Sequence, residues 1–198
     1  MTRIMPLGDS LTDGYDYPGG YRQFLWRFLA ERGKQIKFVG SQRNGDPDLP
    51  EPYHEGHSGW RIADIHSYIH RWLTDHPADI ILLLIGTNDV LQGYDPTRPP
   101  TPLSDLLDRI YQLLPNVIVL LGTLPPIDEP YFQRRVQAFN AYLPSIVQLQ
   151  ADRGRRIQLV DIYTAITSKD LIDGVHPTPA GHQKIAEAWA QVLLPLLP

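Results

Sequence analysis

The sequence predicts an α/β fold, a parallel sheet packed between helices. Three observations point there. Short β-type runs alternate with longer amphipathic stretches along the 198 residues, an order that implies right-handed crossovers between parallel strands. One run, Asp79–Ile85, is almost wholly apolar, the pattern of a central strand covered on both faces. The segments that follow the runs carry the Gly, Pro, Asp and His residues, whereas the return connections, such as Arg32–Gln35 and Asp75–Ala78, are short.

In chain order, the first strand is expected at Arg3–Leu7, where the apolar run stops at Gly8-Asp9-Ser10-Leu11, and an amphipathic helix at Tyr21–Arg32. A second strand, Ile36–Val39, precedes the polar segment Gly40–Gly59. In Arg61–Thr74 the residues Ile62, Ile65, Ile69 and Leu73 recur at the spacing of one helix face. The third strand is Asp79–Ile85, followed by the loop Gly86–Pro102, in which Pro99 and Pro100 cannot continue a helix ladder. Leu103–Leu114 reads as a helix, Asn116–Leu121 as the fourth strand and Gly122–Pro130 as a loop. Pro144 lies inside the next helical pattern, Tyr131–Asp152, and either kinks it or starts a second segment. The fifth strand is Arg156–Val160; a last loop, Asp161–Thr178, leads to the helix Ala180–Leu194, which Thr178 or Pro179 can begin. No repeat, linker or compositional break divides residues 1–198, so one domain is expected.

Composition narrows the function classes. Apolar residues make up 42% and charged residues 20% of the chain, the balance of a globular protein. A net charge of −4 and an isoelectric point of about 5.9 give no footprint for nucleic acid. Arg153, Arg155 and Arg156 form the densest basic cluster and read as a solvated helix end. No apolar run reaches the roughly 18 residues of a membrane span, so neither nucleic acid nor membrane is an expected partner. The chain has no cysteine, which excludes disulfides and thiolate metal sites. No secretory leader precedes the first strand; the expected compartment is the cytoplasm, or the exterior if a leader has been removed.

The unusual chemistry falls beyond the carboxyl ends of the strands, where open α/β sheets bind ligands. Ser10, read alone, is a turn or N-cap residue, and the G-x-S-x-G elbow is absent. Near the other end, Asp173 and His176 stand three apart on a Gly/Pro loop just before the final helix. A serine hydroxyl needs a base to take its proton, and the base needs an acid to hold its tautomer; His176 and Asp173 could supply both roles. His182 is the rival base, at the start of a helical pattern where it faces solvent or packs. Gly59, in "HEGHSGW", lets a backbone N–H approach a ligand without a Cβ in the way. Asn88, in "LLLIGTNDV", can aim its amide across the carboxyl edge. Taken singly, Asp-x-x-His is equally a hydrogen-bonded loop, Gly59 a turn and Asn88 an Asx residue.

Gly-Asp-Ser, then Gly, then Gly-Thr-Asn-Asp, then Asp-x-x-His, in this order from Gly8 to His176, resembles the SGNH (GDSL-type) hydrolase superfamily. The resemblance implies a three-layer α/β/α fold with a five-stranded parallel sheet in flavodoxin-like order 2-1-3-4-5. It implies Ser10 as nucleophile, His176 as base and Asp173 as orienting acid. It also implies an oxyanion hole made by the backbone N–H groups of Ser10 and Gly59 and the side-chain amide of Asn88. Within the superfamily, "IMPLGDSLTDG", "GGYR", "HEGHSGW" and "LLLIGTND" look like the acetylxylan esterases of carbohydrate esterase family 3. The expected activity is hydrolysis of a short acyl ester, acetyl above all, with a small ester or an acetylated saccharide such as xylan as substrate and no cofactor. Asp9 has no assigned part, and the sequence is silent on oligomeric state.

Other readings compete. A lysophospholipase or thioesterase acting on longer acyl chains fits the same catalytic residues, although no long apolar insertion suggests an acyl tunnel. Tyr15, Tyr17, Tyr53, His54, Trp60 and Tyr94 lie in the loops near the expected site and suit sugar stacking or a shallow cleft. A metal hydrolase would use His54 and His57 with Glu55 or Asp89, but "HEGH" is not H-E-x-x-H. His66 and His70 are four apart and could chelate a metal, or lie on a polar helix face. A non-enzymatic carbohydrate- or nucleotide-binding module fits the fold class, but no G-x-G-x-x-G or Walker-type loop follows the first strand.

Overall fold

A computed structural model describes residues 1–198. Strand β1 (Thr2–Gly8) is followed at once by a short helix α1 (Ser10–Asp13), then by α2 (Gly20–Ala30) and β2 (Ile36–Phe38). Two short strands, β3 (Gln42–Arg43) and β4 (Tyr53–Gly56), precede helix α3 (Ile62–Asp75). Next come β5 (Ile80–Leu84), a short α4 (Thr87–Leu91), α5 (Thr101–Leu113), β6 (Ile118–Gly122), α6 (Pro130–Asp152), β7 (Arg156–Val160) and α7 (Pro179–Leu193).

The five strands read from the sequence are all present, in the parallel order β2-β1-β5-β6-β7. Counting those five alone, this is the expected order 2-1-3-4-5. The sheet has seven strands rather than five. β4 takes up the edge beside β1 where β2 leaves off: β2 pairs with Thr2–Ile4 and β4 with Leu7 and Gly8. β3 then folds back antiparallel on β4. The segment Gly40–Gly59, read as a loop, therefore contains half of an edge strand. Its strand residues Tyr53-His54-Glu55-Gly56 lack apolar alternation, and the prolines around them mask the extended run.

Strand geometry explains the two-sided core. Successive side chains of a strand point to opposite faces, so Met5, Leu7, Ile81, Leu83, Val119 and Leu121 form one core with α3, α5 and α6. Ile4, Ile80, Leu82, Leu84 and Leu120 form the other with α2 and α7. Ile62, Ile65, Ile69 and Leu73 are the buried stripe of α3, joined by Trp72. Helix α6 runs without interruption through Pro144, so the proline does not begin a second segment. α1 and α4 are too short to show periodicity and form where tertiary contacts fix them. No helix is long and apolar enough to cross a membrane.

Candidate active site

Ser10 is aimed by the junction of β1 and α1. Gly8 ends the strand where a Cβ would stand 2.1 Å from the Leu84 carbonyl oxygen, so only glycine lets β1 and β5 approach here. Asp9 caps α1 by accepting from the Leu11 N–H at 3.0 Å. Ser10 is thus the first residue of the helix, where the N–H groups have no intrahelical partner. The residue is 7% exposed.

The Ser10 hydroxyl donates to His176 Nε2 at 3.0 Å, and His176 Nδ1 donates to Asp173 Oδ2 at 2.7 Å. The other Asp173 oxygen accepts the backbone N–H groups of Val175 (3.0 Å) and His176 (2.7 Å). Partial burial pushes the Asp173 carboxyl up, but these donors and the His176 ring outweigh it and hold it down at about 2. The loop is closed on itself by Ile172 N–H to His176 O (2.8 Å) and by the bridge between Leu171 and Pro177. Thr178 then caps α7 by accepting from Gly181 N–H, with Pro179 at its first position. Two further groups border His176: Asp16, which the sequence did not single out, and Tyr15, one of the aromatic residues expected in the loops near the site. Asp16 Oδ2 lies 3.8 Å from Nδ1, and the mostly exposed Tyr15 packs its ring 5.2 Å from the imidazole. Both arrive through the turn after α1, a contact that no spacing rule foretells.

Gly59 and Asn88 reach the same edge. Gly59 sits at φ +82°, a left-handed backbone that favours glycine, and a Cβ there would meet nothing within 4 Å. Its N–H donates to no protein group. Asn88 lies in the first turn of α4. One hydrogen of its amide is committed to the Trp60 carbonyl at 2.9 Å, which orients the other and ties α4 to the turn that carries Gly59. Asp89 ties the same turn a second time, accepting from Ile62 N–H at 3.1 Å.

The remaining polar groups sort into supports. Arg22 is fully buried and donates to the carbonyls of Thr12, Asp13, Asn44 and Pro52; burial lowers its guanidinium to about 10. His182 is buried against Tyr17 and Gly20, and burial lowers it to about 4. It packs, and no hydrogen bond joins it to Ser10. Asp9 is fully buried with Oδ2 unpartnered, and desolvation pushes its carboxyl up to about 7 against the pull of the Leu11 N–H. His54 is buried, accepts from Gly56 N–H at 3.0 Å, and is lowered to about 2 by burial. His57 is bonded to Glu55, and His54, Glu55, His57 and Asp89 do not bring three ligand atoms within 4.8 Å of one another. His66 and His70 are exposed on α3. Asp16, Asp173 and His176 are the acid and imidazole groups close enough to hold a cation, all within 4.8 Å, but a cation there would compete with the Asp173–His176 hydrogen bond.

Residues 7–184 match the GDSL-like lipase/acylhydrolase family. The chain is 30% identical over 215 residues to a multidomain esterase of Ruminococcus flavefaciens, covering 96% of this chain but only 28% of that protein. Among solved structures, it is similar to a Clostridium thermocellum family 3 carbohydrate esterase, with a TM-score of 0.89 and 38% identity over 98% of this chain and 96% of that one. An acetyl esterase mutant crystallised with acetate ion superposes with a TM-score of 0.85 at 29% identity, covering 99% and 98% of the two chains. With the strand order, the Gly-Asp-Ser turn and the family match in agreement, the chain belongs to the GDSL-like lipase/acylhydrolase family.

Proposed function

We propose that this chain is a serine esterase that removes short acyl groups, acetyl above all, from the hydroxyls of a saccharide. The observation that carries the reading is the relay Ser10 Oγ, His176, Asp173 at 3.0 and 2.7 Å, with three N–H donors at the same sheet edge. Ser10 Oγ attacks the ester carbonyl carbon while Nε2 takes its proton, and Asp173 holds the imidazolium. The carbonyl oxygen becomes an oxyanion that accepts from Ser10 N–H, Gly59 N–H and the Asn88 amide. The C–O bond to the alcohol breaks and His176 returns the proton to the leaving oxygen. Water, deprotonated by the same imidazole, then attacks the acyl-serine, releasing the acid and restoring Ser10.

Two points support a short acyl group. Five surface cavities of 210 to 560 Å³ do not count Ser10 among their lining residues. One of them, of 460 Å³, lies at the opposite edge of the sheet, around Arg3, Asp79 and Arg156. The similar solved structures include one described as a family 3 carbohydrate esterase and one as an acetyl esterase with acetate ion. One observation favours a longer chain: a cavity of 560 Å³ beside Asp173 is lined by Leu91, Ile127, Phe132, Ile172 and Val175.

A series of p-nitrophenyl esters from acetyl to decanoyl separates the two. The proposal expects kcat/KM to be greatest at acetyl and to fall with length. A value that climbs with length assigns the apolar cavity to the acyl chain and removes the acetyl reading. Release of acetate from acetylated xylo-oligosaccharides tests the saccharide alcohol, and failure there with activity on small acetates overturns that part alone.

A further inference from the structure

The stretch His54–His57 has no part in the proposed reaction, yet it contains a fully buried carboxylate at the edge of the sheet. Glu55 Oε1 accepts from the Ser41 N–H; Oε2 accepts from the Ser41 hydroxyl at 3.0 Å and from His57 Nε2 at 2.9 Å. The His57 ring is itself stacked on two indoles, 4.4 Å from Trp60 and 4.5 Å from Trp72. Its backbone N–H donates to the Gly8 carbonyl at 2.9 Å, and Trp60 N–H returns to the His57 carbonyl. His57 is therefore held by its ring, its Nε2 and its main chain, and it immediately precedes Ser58 and Gly59 in the chain.

Gly59 makes no anchoring contact of its own. Its place relative to Ser10 is inherited from the turn: Ser58 Oγ donates to Asp13 Oδ2 at 2.6 Å, Asn88 holds Trp60 O, and Glu55 holds His57. Burying a carboxylate costs several kcal/mol before pairing offsets it, and apolar residues of like volume fill such space at least as stably. Stability alone does not account for the pair. Its Gly8 contact joins it to the strand that aims Ser10.

We propose that Glu55 and His57 are positioning residues, holding the His57–Trp60 turn so that the Gly59 N–H meets the oxyanion formed at Ser10. The inference rests on the esterase reading. It is tested by steady-state kinetics on p-nitrophenyl acetate, with thermal melts, for the wild type, His57→Ala, His57→Gln and Ser10→Ala. A displaced oxyanion donor is felt in the transition state and not in substrate binding, so His57→Ala is expected to lose about ten- to a hundredfold in kcat with KM unchanged within about twofold. His57→Gln, whose amide nitrogen can reach Glu55 as Nε2 does, is expected to recover most of it.

A role confined to folding would lower the melting temperature and leave kcat intact well below it, and that result overturns the inference. So does a glutamine variant no better than alanine. Should His57→Ala fail to fold, His57→Phe refills the space between the indoles but cannot donate to Glu55. A matching loss of kcat supports the inference, and an unchanged kcat overturns it. A wild type with no activity that Ser10→Ala removes overturns the esterase reading, and the inference with it. An active wild type with an indifferent His57 overturns the inference alone.

Discussion

Ser10 and His176 are 166 residues apart in the chain and 3.0 Å apart across the site, the hydroxyl donating to Nε2. One stands at the end of the first strand and the other in the loop before the last helix. Their meeting depends on the sheet between them, and the turn after α1 brings Tyr15 and Asp16 against the same imidazole. It also depends on α2 packing against α7 across one core.

Replacing the serine tests the relay most directly. Ser10→Ala is expected to cost more than about 10³-fold in kcat on p-nitrophenyl acetate, with a circular dichroism spectrum and melting temperature close to those of the wild type. The change removes one oxygen from a residue that is 7% exposed and adds no bulk.

Two carboxylates face His176 Nδ1, at 2.7 Å from Asp173 and 3.8 Å from Asp16. Only the first is a hydrogen bond. Asp173→Asn is therefore expected to lower kcat about 10³- to 10⁴-fold, and Asp16→Asn less than about tenfold. Because Asp173 is held down at about 2, it stays ionised as pH falls until that value. Its contribution to stability is present above the unfolded value near 3.9 and is lost as pH drops through about 2. The acid limb of the rate profile is expected above pH 3 and set by another group. A profile of kcat/KM between pH 3 and 9 reads this.

Asn88 offers one amide hydrogen to the site after giving the other to Trp60. Asn88→Ala is expected to reduce kcat about 10²- to 10³-fold with a smaller change in KM. An equal rise in KM would instead assign Asn88 to ground-state binding.

Asp9 gives a pH prediction of opposite sign. Its buried carboxyl is pushed up to about 7, whereas in the unfolded chain it titrates near 3.9. Between those values the unfolded chain has released a proton that the folded chain keeps. Stability therefore falls as pH rises from about 4 to about 7, by at most about 4 kcal/mol from this group. Asp9→Asn retains the acceptor for Leu11 N–H and removes that slope. The melting temperature of the variant relative to the wild type is expected to rise across this window and to level off above it.

Much of the fold is legible because burial imposes periods on the sequence. Ile80–Leu84 is apolar without interruption because α3, α5 and α6 cover one face and α2 and α7 the other. The α3 stripe shows the helical period for the same reason. β4, α1 and α4 left no such trace. β4 is an edge of four residues, and α1 and α4 owe their existence to a cap and to packing.

The sequence by itself determined five of the seven strands, their helices, and the four polar segments that carry Ser10, Gly59, Asn88 and the Asp173–His176 pair. Each follows from local chemistry: turn residues end strands, and periodic burial defines elements. Tertiary structure alone decided how those segments meet. It brought Asp16 and Tyr15 to His176, committed one Asn88 hydrogen to Trp60, and made Glu55 and His57 a support for Gly59 rather than half of a metal site. These are contacts between residues far apart in the chain, set to tenths of an ångström by packing on both faces of the sheet, and no local pattern encodes them.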